Sequence, residues 1–326
     1  MPKTPSTESS LEAILSGDLL AATRLIRRIE DGDPSARPLM KALYRRGGSA
    51  RIIALTGAPG VGKSSLTDQL IAAFRAEGKR VGVLAVDPTS PFTGGAILGD
   101  RIRMGRHFTD KGVFIRSMAT RGHLGGLAKA SGEAVQVLDA MGWEVILLET
   151  VGVGQAEVEV VHLADTVILV MEPGGGDDVQ AAKAGIMEIA HIFSVNKARR
   201  EGADRTVRLI EEMLNHRHEA GTDGGAEGSA WWPPIVRTEA LEGEGIPELV
   251  AAISSWHAFL EAHPGASKTL GLARARQLLT DELKSLAAER HLGAREGEPE
   301  FEKLLSDIAG RREDPYTAAE RFLDLV

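Results

Sequence analysis

Three patterns of hydrophobic and polar positions follow one another along the chain. Residues 1–9 are rich in Ser, Thr and Pro, show no apolar period, and are predicted to be mobile. From residue 10 to 46 the apolar positions keep helical spacing: Leu11, Ile14, Leu19, Leu20, Leu25 and Ile26, then Leu39 and Leu43 after the turn-forming "DGDP". The basic turn "YRRGGSAR" closes that stretch. Beyond it, seven short apolar runs are strand candidates: 51–57, 80–87, 113–118, 144–150, 166–171, 191–196 and 234–240. Several are apolar nearly throughout, as strands covered on both faces must be. Helical patterns lie between them, notably 64–78 and 202–221. This is βαβ repetition, so a mostly parallel sheet between helix layers is predicted, an α/β fold. "GTDGGAEGSA" (221–230) reads as a surface loop. From about 265 the pattern is helical again, with an amphipathic run at 270–292 followed by "FEKLLSDIAG" and "YTAAERFLDLV". Three regions result: an N-terminal helical extension (1–46), a central α/β domain (47–262) and a C-terminal helical arm (263–326).

Composition narrows the partners. A net charge of −8 argues against nucleic acid as the main one, since a phosphate-binding surface needs a basic excess. No apolar run approaches the roughly 20 residues of a membrane span, and the polar start "MPKTPSTESS" lacks a secretory core, so the default location is the cytoplasm. With no cysteine there is no thiolate metal site and no thiol nucleophile.

The first strand runs into "GAPGVGKS", a full G-x-x-x-x-G-K-[ST] phosphate loop with strand before and helix after. Its members are Gly57, Ala58, Pro59, Gly60, Val61, Gly62, Lys63 and Ser64, with Ser65 next. The glycines let backbone N–H groups wrap a β-phosphate, Lys63 places a point charge on the β- and γ-oxygens, and the Ser64 hydroxyl can ligate Mg²⁺. The following helix aims its positive end at the phosphates. Asp87, ending the second strand, and Asp100, beyond it, can each hold Mg²⁺ directly or through water, or serve only as caps. The fourth strand delivers "ETVGVGQAE". Glu149 followed by Gly152 copies an Asp-x-x-Gly switch with glutamate for aspartate, so the Gly152 N–H can contact a γ-phosphate. Gln155 can orient an attacking water or face solvent. After the fifth strand "EPGGGDDVQAAKAG" carries Asp177, Asp178 and Lys183, either beside the site or on an ordinary turn.

The sixth strand ends in "SVNKAR". Asn196-Lys197 opens the base-reading loop of a GTPase, where an aspartate two residues after the lysine accepts both N–H groups on guanine's edge. Position 199 is Arg199, which carries donors only. In the second base loop, "TEALEGEG", Glu239 precedes Ala240 and Leu241, and the Ala240 N–H can donate to guanine O6. Glu201 and Asp204 lie nearby, off the expected spacing. Guanine is therefore expected to be held less tightly and less selectively than by a loop with aspartate at 199.

Taken together, "TGAPGVGKSSL", "VDPTSPFTGGAILGDRIRM", "ETVGVGQAE" and "NKA", in this order and spacing, resemble the MeaB-like (ArgK/MeaB) GTPases over roughly residues 10–326. The resemblance implies GTP/GDP and Mg²⁺ as cofactors and slow, partner-stimulated GTP hydrolysis with Lys63, Glu149 and Gln155 in catalytic roles. It implies Mg²⁺ contacts at Ser64, Asp87, Asp100 and Glu149, and a switch at 174–185 with Asp177, Asp178 and Lys183. It further implies a homodimer held by the C-terminal arm, and a chaperone that gates adenosylcobalamin delivery to methylmalonyl-CoA mutase and protects that enzyme. A phosphate-loop kinase, for which "RIRMGRH" would supply Arg101, Arg103 and Arg106, and a metal-delivering GTPase are the rival classes. The tandem "WWPP" and the side chains of His107 and His123 are expected to serve packing or surface roles.

Overall fold

The computed structural model describes residues 7–87, 104–119, 126–150, 160–174, 186–219, 231–293, 295 and 297–324. Three helices come first: α1 (Thr7–Leu15), α2 (Leu19–Glu30) and, after a short 3₁₀ turn (Pro34–Ala36), α3 (Arg37–Tyr44). The helix starting at Thr7 takes in part of the stretch expected to be mobile. Asp18 caps α2 through the N–H groups of Leu20 and Ala21, and Asp33 caps the turn at the predicted "DGDP" break.

All seven predicted strands form: β1 (Arg51–Thr56), β2 (Val81–Asp87), β3 (Val113–Ala119), β4 (Val145–Thr150), β5 (Thr166–Met171), β6 (Ile192–Val195) and β7 (Ile235–Arg237). They make one sheet in the order β3-β2-β4-β1-β5-β6-β7, and every adjacent pair is parallel. Every residue of β4 and β5 is buried, as continuous apolar runs require. β7 is shorter than the predicted 234–240, because from Thr238 the chain turns: Glu239 and Glu244 pair their backbones around a tight loop.

The connecting helices are α4 (Lys63–Ala76), α5 (Gly126–Ala140), α6 (Ile186–Ile189), α7 (Ala203–Glu219) and α8 (Ile246–Ala262). One face of the sheet packs Ile53, Leu55, Val83 and Leu147 against Leu66, Leu70 and Phe74 of α4 and Leu249 and Ile253 of α8. α5 packs against α2 and α3, which makes the N-terminal helices part of the domain's own layering. Asp139 of α5 reinforces this joint, its carboxylate accepting the N–H groups of Gly48, Ser49 (3.1 Å) and Ala50 (2.9 Å) just before β1. Asp139→Ala is expected to lower stability by about 1–2 kcal/mol, since three backbone donors lose their acceptor. Urea unfolding checks this as a lower midpoint at unchanged slope.

The tandem tryptophans divide their roles. Trp231 donates from Nε1 to the His191 carbonyl at 2.8 Å and packs edge-on to Trp256 at 5.0 Å, whereas Trp232 is exposed. The chain splits into two compact units, Met1–Ala275 and Arg276–Val326, with the division inside the long helix α9 (Pro264–Ala288). In the second unit, α10 (Pro299–Ala309) and α11 (Pro315–Asp324) enclose a small core of Leu304, Ala318 and Phe322. Arg295 stacks 4.5 Å over the Phe322 ring.

Candidate functional site

β1 lies between β4 and β5, and the chain visits β2, β3 and β4 on one side before crossing to β5, β6 and β7 on the other. The loop after β1 therefore opens at the point where strand order reverses, beyond the carboxyl ends of its neighbours. A cavity of about 400 Å³ sits there, lined by the phosphate loop, the ends of β4 and β6, and the loop after β7.

Two glycines shape the phosphate loop. Gly57 has φ +144°, and a Cβ on it would meet the Val170 carbonyl oxygen of β5 at 2.1 Å. Gly62 has φ +98°, and its Cβ would lie 2.3 Å from Asn196 Nδ2. Both demand a residue without a side chain, for backbone conformation and for close approach. Lys63 opens α4 and is buried, its ammonium donating to the carbonyls of Gly57 (2.5 Å) and Ala58 (3.0 Å) across its own loop. The Ser64 hydroxyl donates to Oε1 of Glu149, the penultimate residue of β4, which is 1% exposed.

On the opposite wall Asn196, 2% exposed, joins three segments. Its Nδ2 donates to the Val61 carbonyl at 2.8 Å, and its Oδ1 accepts from the Thr238 hydroxyl (3.2 Å) and the Ala240 N–H (3.1 Å). The Ala240 N–H expected at guanine O6 is thus engaged by the Asn196 side chain in this structure. Lys197, at φ +56°, donates to the Gly60 carbonyl at 2.7 Å and to Glu172. Glu239, Ala240 and Leu241 complete the lining.

Twelve sequence-predicted residues therefore line one cavity: Pro59, Gly60, Gly62, Lys63, Ser64, Ser65, Glu149, Asn196, Lys197, Glu239, Ala240 and Leu241. The side chain of Arg199 does not join them. Its guanidinium turns outward to Glu244, 63% exposed, and that hydrogen bond holds its pKa above the usual arginine value. Only its backbone N–H stays at the loop, donating to Glu239 Oε2 at 3.0 Å. Asp87 ends β2, with its side chain outside the described part, and Asp100, Gly152, Gln155, Asp177, Asp178 and Lys183 lie outside the described residues, as do Arg101, Arg103 and His123. Arg106 and His107 are engaged with Asp68 of α4 at 2.6 and 3.0 Å. Sequence reasoning missed Arg200, Thr150 and Glu172. Arg200 and Thr150 line the cavity, and Glu172 receives both Lys197 and Arg200. The signal for Glu172 was its place directly after β5.

A hydroxyl beside a buried carboxylate at the mouth of a phosphate loop is a pair of hard oxygen donors, the kind Mg²⁺ takes. Ser64 and Glu149 therefore fit that ion.

Comparison with known proteins agrees with this geometry. Residues 22–296 match the family model described as methylmalonyl Co-A mutase-associated GTPase MeaB. A putative GTPase of Pyrococcus abyssi is 48% identical over 316 residues, 96% of this chain and 94% of that one. The Escherichia coli GTPase ArgK is 33% identical over 276 residues, 82% of this chain and 79% of the relative. In fold, the chain is similar to a crystal structure described as an LAO/AO transport system kinase, with a TM-score of 0.65, 22% identity, and coverage of 100% of this chain and 99% of the other. With its phosphate loop, buried glutamate and base loops gathered on one cavity, the chain belongs to the MeaB family of phosphate-loop GTPases, and its chemistry is the binding of guanine nucleotide and the hydrolysis of GTP.

Proposed function

We propose that this chain is a nucleotide-gated chaperone of adenosylcobalamin-dependent methylmalonyl-CoA mutase, gating cofactor loading and protecting the mutase from inactivation. The observation that carries the reading is the convergence of Lys63, Ser64, Glu149, Asn196 and Ala240 on one cavity, in a chain of the mutase-associated family. In this reading GTP lies with its phosphates on residues 57–65 and its base between Asn196-Lys197 and Ala240. Lys63 leaves the carbonyls of Gly57 and Ala58 for the β- and γ-oxygens. Ser64 and Glu149, with Asp87 and Asp100, would hold Mg²⁺, which would supply charge neutralisation at the phosphates. Water attacks the γ-phosphorus, the bond to the β-bridging oxygen breaks, and GDP and phosphate result. Gln155 orients that water. Loss of the γ-phosphate releases Gly152 and the switch bearing Asp177, Asp178 and Lys183, altering the fit to the mutase.

The same proposal includes a cytoplasmic location and a homodimer joined through residues 263–326. Leu272, Leu279 and Leu283 of α9 are exposed apolar side chains that such an interface would cover. Among the described residues no helix is long and apolar enough to cross a membrane.

Co-purification with the mutase under GDP and under a non-hydrolysable GTP analogue tests the reading. Affinity for the mutase is expected to differ between the two states by about 5–150-fold, the usual size of a coupling between sites. Equal affinity in both states, with no change of GTP turnover on adding mutase, would remove the gating role.

A further inference from the structure

The residue that should read guanine's edge carries no acceptor, yet a carboxylate stands beside it. Glu239 belongs to the loop after β7 and lines the cavity with Asn196, Lys197 and Ala240. One of its oxygens, Oε2, accepts the backbone N–H of Arg199 at 3.0 Å. The acid is therefore docked on the backbone of the position where the base-reading aspartate was expected. Its own backbone is fixed on both sides, with the Glu239 N–H donating to the Glu244 carbonyl at 3.0 Å and the Glu244 N–H returning to the Glu239 carbonyl at 3.2 Å. Gly245 closes that turn, at φ +74°, where a Cβ would meet the Arg237 carbonyl oxygen at 2.0 Å.

The surrounding cations have other partners. Lys197 and Arg200, which share the lining, both face Glu172, and Arg199 faces Glu244. Among the described residues Glu239 makes one side-chain hydrogen bond, so its second oxygen keeps its acceptor capacity. A carboxylate offers two acceptors side by side, which matches the N1–H and N2–H₂ donors of guanine. Adenine presents an acceptor at N1, and xanthine presents a carbonyl at C2, so both are opposed by the same group.

We propose that Glu239 is the guanine-reading carboxylate of this chain, taking the place of the missing aspartate at 199, while Arg199 anchors the loop through Glu244. The proposal rests on the cavity being the guanine nucleotide site. It changes the expectation drawn from Arg199: selectivity has moved to the second base loop rather than declined.

The test measures dissociation constants of GDP, IDP, XDP and ADP for the full chain and for Glu239→Gln, by competition against a fluorescent GDP analogue. The wild type is expected to prefer GDP over XDP. Glu239→Gln is expected to weaken GDP by about 10–100-fold, because two guanine donors then meet a group with a single acceptor oxygen. It is expected to strengthen XDP, since the amide N–H faces the xanthine C2 carbonyl, so the GDP/XDP preference inverts. XDP binding by the variant also demonstrates that fold and phosphate site survive. An unchanged GDP/XDP ratio in a variant that still binds GDP would overturn the role of Glu239 while leaving the nucleotide site in place. Equal weakening of GDP, IDP and XDP would likewise overturn it, as no base has then been distinguished. Tightening of GDP by Arg199→Asp, with Glu239→Gln silent, would return the role to position 199. A wild-type chain that binds none of these nucleotides would overturn the site reading itself, and the proposal with it.

Discussion

Lys63→Ala is expected to lower GTP turnover by about 10²–10³-fold or more, the loss that follows when one preorganised group facing developing charge is removed. Lys63 is buried at the start of α4, and its ammonium rests on the carbonyls of Gly57 and Ala58. A point charge in that place bridges the two ends of the phosphate loop in the lining of the cavity. Alanine removes the charge, and the two carbonyls then face an incoming polyphosphate without a cation between them. Arginine is a poor substitute, because its planar fork does not fit a space shaped for a compact ammonium. Single-turnover hydrolysis at saturating GTP separates the rate loss from weaker binding. Turnover at the wild-type rate would remove Lys63 from the chemistry and the cavity from its assigned role.

Asn196→Ala is expected to damage both stability and nucleotide binding. The side chain is buried and makes three hydrogen bonds, to the Val61 carbonyl, the Thr238 hydroxyl and the Ala240 N–H. Each buried partner left unsatisfied costs roughly 1–3 kcal/mol, and because the three share one side chain their losses do not simply add. A lower urea midpoint for the nucleotide-free protein is the first readout. The second is GDP affinity, expected to fall by about 100-fold, since the variant releases the phosphate loop from the loop holding Ala240. A wild-type midpoint with wild-type GDP affinity would show that Asn196 does not join the two halves of the site. The close approach of Gly62 to Asn196 has the same origin: the two loops are packed so tightly that a single methyl group on Gly62 would enter the Asn196 amide.

The parallel sheet was legible in the chain because its strands are covered on both faces, which leaves an apolar run with no alternation to misread. The phosphate loop was equally legible, since strand, glycines, Lys63 and Ser64 are contiguous and their order is set by local backbone chemistry. β7 was overestimated for the converse reason. Residues 238–240, Thr-Glu-Ala, follow the strand directly in sequence, but a backbone pairing between Glu239 and Glu244 turns the chain away from the sheet.

The role of each charged residue near the base was not legible. Read in sequence, Arg199 marks a defect, because spacing along a loop says which residue occupies a position and nothing about where its side chain goes. In the folded chain, loops distant in sequence meet: Arg199 turns out to Glu244, its N–H donates to Glu239, and Lys197 and Arg200 share Glu172. These pairings depend on β5 and β7 both being parallel neighbours of β6, which brings the three carboxyl ends side by side. The sequence by itself determined the α/β class, the phosphate loop and the acid at the end of β4, because each follows from contiguous residues and local periodicity. The tertiary structure alone decided which carboxylate lies against position 199 and which cations are paired, because hydrogen bonds and ion pairs act across space at about 3 Å, a separation that linear spacing does not encode.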